Sequence, residues 1–302
     1  MLNVYEQVDS NKRKSFLVML FFTIFVAGFA YILGQASGYG LSWVGLALIF
    51  SGLMSFASYY YSDRIILTIS GAREADRRKD FNFYTVAENL AMAAGLPKPR
   101  LYVINDTAPN AFATGRDPQH AVICATTGLL QKLDRTELEG VISHELSHVG
   151  NYDTRLMAIV TVMVGLVTLL ADWFLRSTLW GRRRHNHRDS NQAQMIFFAI
   201  GMVLALLSPL IAKLIQLAIS RRREFLADAS AVKITRFPDG LIRALQKISV
   251  DKEPLEVANK ATAHLYIVNP LRNRHDSIGW FSGLFNTHPP MSERIKALNA
   301  MS

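Results

Sequence analysis

The 302 residues predict an α+β fold, mostly helical, in which transmembrane helices join a polar domain carrying a small β-sheet. Three observations predict it. Half of the residues are hydrophobic although 19% are charged, and the apolar ones are gathered into long blocks. Between the blocks lie segments with apolar residues at helical spacing. One polar stretch instead holds short β-rich runs divided by Pro, Asn, Asp and Gly, the signature of strands and turns.

The first block justifies two spans. Residues 15–62 contain no Asp, Glu, Lys, Arg or His, and the segment 35–40 divides them into apolar runs at 16–34 and 41–61. Each has about the ~20 residues that cross a ~30 Å hydrocarbon core. The first run is long, lacks a small-residue cleavage pattern and is followed at once by a second, which argues against a removed signal peptide. Lys12, Arg13 and Lys14 precede this hairpin, and Arg64, Arg73, Arg77, Arg78 and Lys79 follow it. The positive-inside rule therefore places both ends in the cytoplasm.

Two more apolar blocks, 156–175 and 195–219, flank a basic insert. In the first of them Asp172 leaves only residues 156–171 uncharged, so it either spans or forms a buried or interfacial helix. If both blocks span, Arg176, Arg182, Arg183, Arg184 and Arg188 lie outside, against the same rule. Either the first hairpin dominates topology or these blocks do not fully cross. The expected organisation is a hairpin at 1–62, a first domain part at 63–155, a second hydrophobic hairpin at 156–220 and a second domain part at 221–302.

The net charge of +9 sits beside apolar runs rather than among exposed aromatics, which favours a lipid bilayer over nucleic acid as partner. Cys124 stands alone, so no internal disulfide forms, and its setting predicts a buried strand position.

In the polar part, residues 83–95 read as a helix with Ala87, Leu90, Ala91 and Ala94 on one face, closed by Gly95 and Pro97. Residues 100–104, 111–114 and 121–125 read as three short strands. A further helix opens at Asp134 with an acidic first turn and buries Leu138, Val141 and Ile142.

That helix carries His144-Glu145-Leu146-Ser147-His148, an H-E-x-x-H pattern. Positions four apart share a helix face, so two imidazoles address one metal ion while Glu145 stands beside it as a base. A catalytic zinc usually takes three protein ligands. Asn151 and Thr154 occupy the positions where the short-spaced solution needs Gly and a third ligand, which excludes it. The remaining solution is a glutamate from a second helix, and Glu224-Phe-Leu-Ala-Asp228 supplies one. Glu224 as ligand and Asp228 as acceptor of a ligating histidine's spare N–H share a face. The competing reading has Glu224 neutralise Arg221, Arg222 and Arg223. One Zn2+ per chain is the expected cofactor. His148 precedes the third and fourth blocks and Glu224 follows them, so the two blocks cross a membrane together or not at all.

His-Glu-Leu-Ser-His, Glu-Phe-Leu-Ala-Asp after a hydrophobic hairpin, and Asn110-Ala111-Phe112-Ala113 upstream together resemble the HtpX-type integral membrane metalloproteases, relatives of the CAAX prenyl proteases. The resemblance covers nearly the whole chain, with no departure at the catalytic positions. It implies a zincin-like domain and a zinc endopeptidase of the bacterial inner membrane, its active site facing the cytoplasm. The implied substrates are unfolded or damaged membrane proteins. It also implies that Asn110, Ala111, Phe112 and Ala113 form an edge strand on which extended substrate lies, against the reading of a turn with Phe112 in the core. His288 and Arg294 are implied as donors to the carbonyl oxygen of the scissile bond, whereas His-Pro is also an ordinary helix-boundary signal. A narrow processing peptidase of the prenyl-protease type and a non-catalytic membrane scaffold are the rival functions.

Overall fold

Two long helices lead the chain, α1 (Val4–Ser37) and α2 (Ser42–Ile69), packed against each other. The computed structural model describes residues 4–37, 42–163, 165, 221–251 and 289–301, together with 253, 255, 262 and 265–267. The basic insert and most of the third and fourth apolar blocks lie outside them. The outer faces of α1 and α2 expose large apolar side chains, among them Phe16 (61%), Ile24 (62%), Leu46 (65%) and Ile49 (65%). A contiguous surface of this kind marks contact with an apolar phase or partner. Among the described residues no helix is long and apolar enough to cross a membrane.

The inner face of α1 is occupied. Val18 and Phe22 pack on Leu156, Ile159 and Val160 of a helical segment at residues 153–163. From α2, the Ser58 hydroxyl donates to the Ile159 carbonyl at 3.2 Å. Helix α2 continues through Asp63 and Arg64 to Ile69, across the expected 62/63 division, and the segment 153–163 likewise runs across the division at 155/156.

A four-stranded mixed sheet follows, built from β1 (Arg73–Glu74), β2 (Arg100–Ile104), β3 (Ala111–Thr114) and β4 (Val122–Thr126) in the order β1-β2-β4-β3. Strands β2 and β4 are parallel, and both outer pairings are antiparallel. Two strands fall where the sequence places them, and the third begins one residue later. Thr126 ends β4 and caps the short helix α4 (Thr127–Lys132), its side chain accepting from the Leu129 N–H. Ahead of α3 (Phe81–Ala93), the Asp76 carboxylate accepts from the N–H groups of Arg78 and Lys79. Helix α3 starts two residues before Phe83, with Asp80 at its N-cap position.

Helix α5 (Arg135–Gly150) opens on a reciprocal capping box, Asp134 accepting from the Glu137 N–H and Glu137 from the Asp134 N–H. Glu137 is buried, and the Lys247 ammonium at 2.7 Å balances its charge. Among the described residues three further helices follow: α6 (Arg221–Thr235), α7 (Pro238–Val250) and α8 (Met291–Asn299). Helices α5 and α7 meet backbone to backbone, because a Cβ on Gly140 would stand 2.6 Å from the Leu241 nitrogen. One on Gly240 would stand 2.6 Å from the Thr136 carbonyl oxygen. The main core lies between α3, the sheet, α5 and α7, with Phe83, Val86, Val103, Ile123, Val141, Leu146 and Leu245 at its centre. Each such side chain contributes about 1.5–3 kcal/mol of apolar burial. Helix α5 is thereby held along its length with its second half inside the protein.

Candidate metal centre

Helix α5 brings His144, Glu145 and His148 into the interior, and α6 approaches with Glu224 and Asp228 on its facing side; all five are buried. The two Nε2 atoms of His144 and His148 stand 3.2 Å apart. Glu224 reaches both rings, Oε2 at 3.7 Å from His144 Nε2 and Oε1 at 3.6 Å from His148 Nε2. One donor atom from each of the three residues lies within 4.8 Å of the others. Glu224 therefore faces the histidines, and of the preceding arginines Arg223 pairs elsewhere.

Each imidazole is oriented from behind. His144 Nδ1 lies 2.9 Å from Asp228 Oδ1, and His148 Nδ1 lies 3.0 Å from Asp153 Oδ2. A carboxylate accepts only, so both Nδ1 atoms carry the proton and both Nε2 lone pairs converge on one point. Two nitrogen lone pairs and a carboxylate aimed at each other are the donor set of a divalent metal site. In the metal-free chain a proton fills part of this role. Burial opposes the charged form of His148, but the hydrogen bond to Asp153 and the charges of Glu224, Asp153 and Glu145 outweigh it and hold its pKa up at about 9.

Arg294, from α8, is the largest fully buried side chain among the described residues. Its guanidinium grips Asp228 with two bonds, Nε to Oδ2 at 2.9 Å and Nη2 to Oδ1 at 2.6 Å. Nη2 also lies 3.4 Å from His144 Nδ1. Nη1 stands 3.7 Å from Glu224 Oε2 and makes no hydrogen bond among the described residues. Burial pushes the Asp228 carboxyl up, but Arg294 and His144 overcome this and hold it below the usual carboxylate range. Glu145 is shifted the other way: desolvation raises its pKa against the pull of His144 and His148. A carboxylate held in a dry pocket with a raised pKa is suited to taking up a proton.

The pocket beside the donors is lined by Ala113, Glu145, Met157, Leu265 and Ile267. Among the described residues strand β3 lies at one edge of the sheet; it contains Ala111, Phe112 and Ala113, with Asn110 just before it. Phe112 is nevertheless in the core, edge-on to Tyr266 with ring centroids 5.1 Å apart. The Asn110 carbonyl turns inward to the Thr126 N–H, and the Ala111 carbonyl accepts from the Ile267 N–H at 3.0 Å. His288 lies outside the described residues. Sequence reasoning missed Asp153. Its signal was an acid five residues after His148, at the edge of an apolar block.

A model for peptidase family M48 matches residues 77–302. The chain belongs to peptidase family M48. Protease HtpX homologs are similar over nearly the whole length. That of Caldanaerobacter subterraneus subsp. tengcongensis is 43% identical over 300 residues, covering 99% of this chain and 98% of the relative. That of Dictyoglomus turgidum is 44% identical over 302 residues, covering 98% and 94%. The crystal structure of S. mikatae Ste24p shares the fold at a TM-score of 0.51 and 17% identity, covering 98% of this chain and 67% of that one. The M48 assignment makes this an HtpX-type metalloprotease, and it sets aside the non-catalytic scaffold.

Proposed function

We propose that this M48 protease is a zinc-dependent endopeptidase of a bacterial inner membrane that cuts damaged or misfolded membrane proteins on the cytoplasmic side. The observation that carries the catalytic part is the convergence of His144, His148 and Glu224 with Glu145 alongside. The exposed apolar faces of α1 and α2 and the basic residues flanking them support the membrane part.

Bound zinc supplies Lewis-acid chemistry, polarising a carbonyl and lowering the pKa of water. Around it the protein positions groups. Asp228 and Asp153 keep both imidazoles in the Nδ1–H form, leaving Nε2 free to ligate. Glu145, raised in pKa by burial, takes a proton from the attacking water and returns it to the leaving nitrogen. Arg294 Nη1 is a buried donor with no hydrogen bond among the described residues, 3.7 Å from Glu224 Oε2, which supports a role for Arg294 in stabilising negative charge on the carbonyl oxygen; the family resemblance adds His288 to that role. Strand β3 presents main-chain groups to an extended substrate.

The test uses purified full-length protein with zinc measured on the same samples as proteolysis. Glu145→Gln should keep one zinc per chain and lose cleavage, and Glu224→Ala should lose both. Undiminished cleavage by Glu145→Gln refutes the mechanism. Cutting confined to one short C-terminal motif, with unfolded model proteins left intact, replaces the broad quality-control reading with the processing-peptidase one.

A further inference from the structure

Asn11 lies on α1, one helical turn before the apolar run begins, and it is buried against the metal centre. Its Nδ2 donates to Asp153 Oδ1 at 2.8 Å and to the Asn151 carbonyl at 2.9 Å. Its Oδ1 accepts from Arg223 Nη1 at 3.2 Å, and the same Nη1 donates to Asp153 Oδ1 at 3.2 Å. An amide is the side chain this place requires. Two N–H groups face two acceptors and one oxygen faces a guanidinium; turned over, the amide would set oxygen against oxygen and N–H against N–H. With Asp153 Oδ1 fixed by Asn11 and Arg223, Oδ2 is left for His148 Nδ1.

We infer that Asn11 is a positioning residue for the metal ligand His148, acting through Asp153, so that the leading helix α1 is a working part of the metal centre. The inference rests on the metal-peptidase reading and deepens it. Helix α1 lies wholly outside residues 77–302, the part matched by the family model, and no feature of the H-E-x-x-H helix points to it. A carboxylate behind a ligating histidine fixes ring orientation and raises ligand basicity, and removing such support typically costs 10–100-fold in metal affinity. Loss of Asn11 frees one oxygen of Asp153 from one of its two holds. A shift of α1 along its axis moves the Nδ2 donor in the same way.

The full chain in detergent, stripped of metal and titrated with zinc against a chromophoric chelator, provides the test. Asn11→Asp keeps the size, removes the donor and sets a second carboxylate against Asp153. It should weaken zinc binding roughly tenfold. Asp153→Asn should weaken it further, and the double variant should be no worse than Asp153→Asn alone, because Asn11 acts through that residue. Ser15→Ala, which removes only the hydroxyl bonded to the Asn11 carbonyl, should bind zinc as the wild type does. If Asn11→Asp does not fold, Asn11→Ser, too short to reach Asp153, takes its place in the same titration. Wild-type zinc affinity in the Asn11 variants, or losses that add in the double variant, overturns the inference. A wild-type chain that takes up no zinc overturns the metal-peptidase reading instead.

Discussion

Arg294 and Asp228 form a doubly hydrogen-bonded ion pair with both side chains buried, and the same Oδ1 that accepts from Arg294 Nη2 also holds His144 Nδ1. Burial pushes the guanidinium toward losing its proton, but Asp228, Glu224 and Glu145 more than restore the charge. Truncating one partner of such a pair strands the other without solvent. Arg294→Ala should therefore destabilise the metal-free protein by about 3–5 kcal/mol, read from denaturant unfolding. Arg294→Lys keeps the charge but not the planar fork, and should unfold at an intermediate denaturant concentration. Equal midpoints for all three proteins would show that the pair is not a support of the fold.

Metal uptake should depend on pH through His148. Its pKa in the metal-free chain is held at about 9, so metal displaces a proton below that pH, and apparent affinity should fall by about tenfold per pH unit on the acid side. The linked effect on the metal-free fold has the opposite sense. A histidine whose folded pKa exceeds its unfolded value of about 6.5 stabilises fully below that value. That contribution is lost as pH rises toward 9. Chelator competition and thermal unfolding of the stripped protein between pH 6 and 9 check both slopes.

The contact of α5 with α7 should tolerate no added carbon. At Gly140 the atom in the way is backbone nitrogen of Leu241, which cannot swing aside as a side-chain tip does. Gly140→Ala is expected to cost about 1–3 kcal/mol and to weaken zinc binding, since the same helix carries both histidines four and eight residues on. Unfolding and zinc titration of one preparation distinguish a shifted helix from a merely strained one.

Cys124 should be inert in the folded protein. It lies fully buried in β4, and burial raises its thiol pKa far above neutral. A maleimide should label it only after denaturation. Because it is the single cysteine, residues introduced into the basic insert at 176–188 then report the sidedness of that insert without a background signal.

Local order was legible in the residues and long-range order was not. Strands β2 and β3 have the bounds that their apolar runs and turn residues indicate, and the start of α5 follows from Asp134 and Glu137. Strand β1, two residues long, carries too little pattern to register. The order β1-β2-β4-β3 depends on contacts between distant segments. At the site, spacing on α5 pointed to the two histidines and Glu145, spacing on α6 offered Glu224 as one of two readings, and the family resemblance completed the set. Asp153, Arg223 and Asn11 were not legible, because their roles arise from a meeting of three helical segments that share no motif. Arg223 read from sequence as one of three equivalent arginines, yet it is buried while Arg221 and Arg222 are exposed.

The Ala111 carbonyl, which points away from the sheet, is already taken by the Ile267 N–H. A peptide laid along β3 at that position competes with a tethered rival from the same chain, present at an effective concentration that no free peptide reaches easily. On the proposed substrate path, the segment at Ile267 must therefore let go of Ala111 before an incoming strand can pair there.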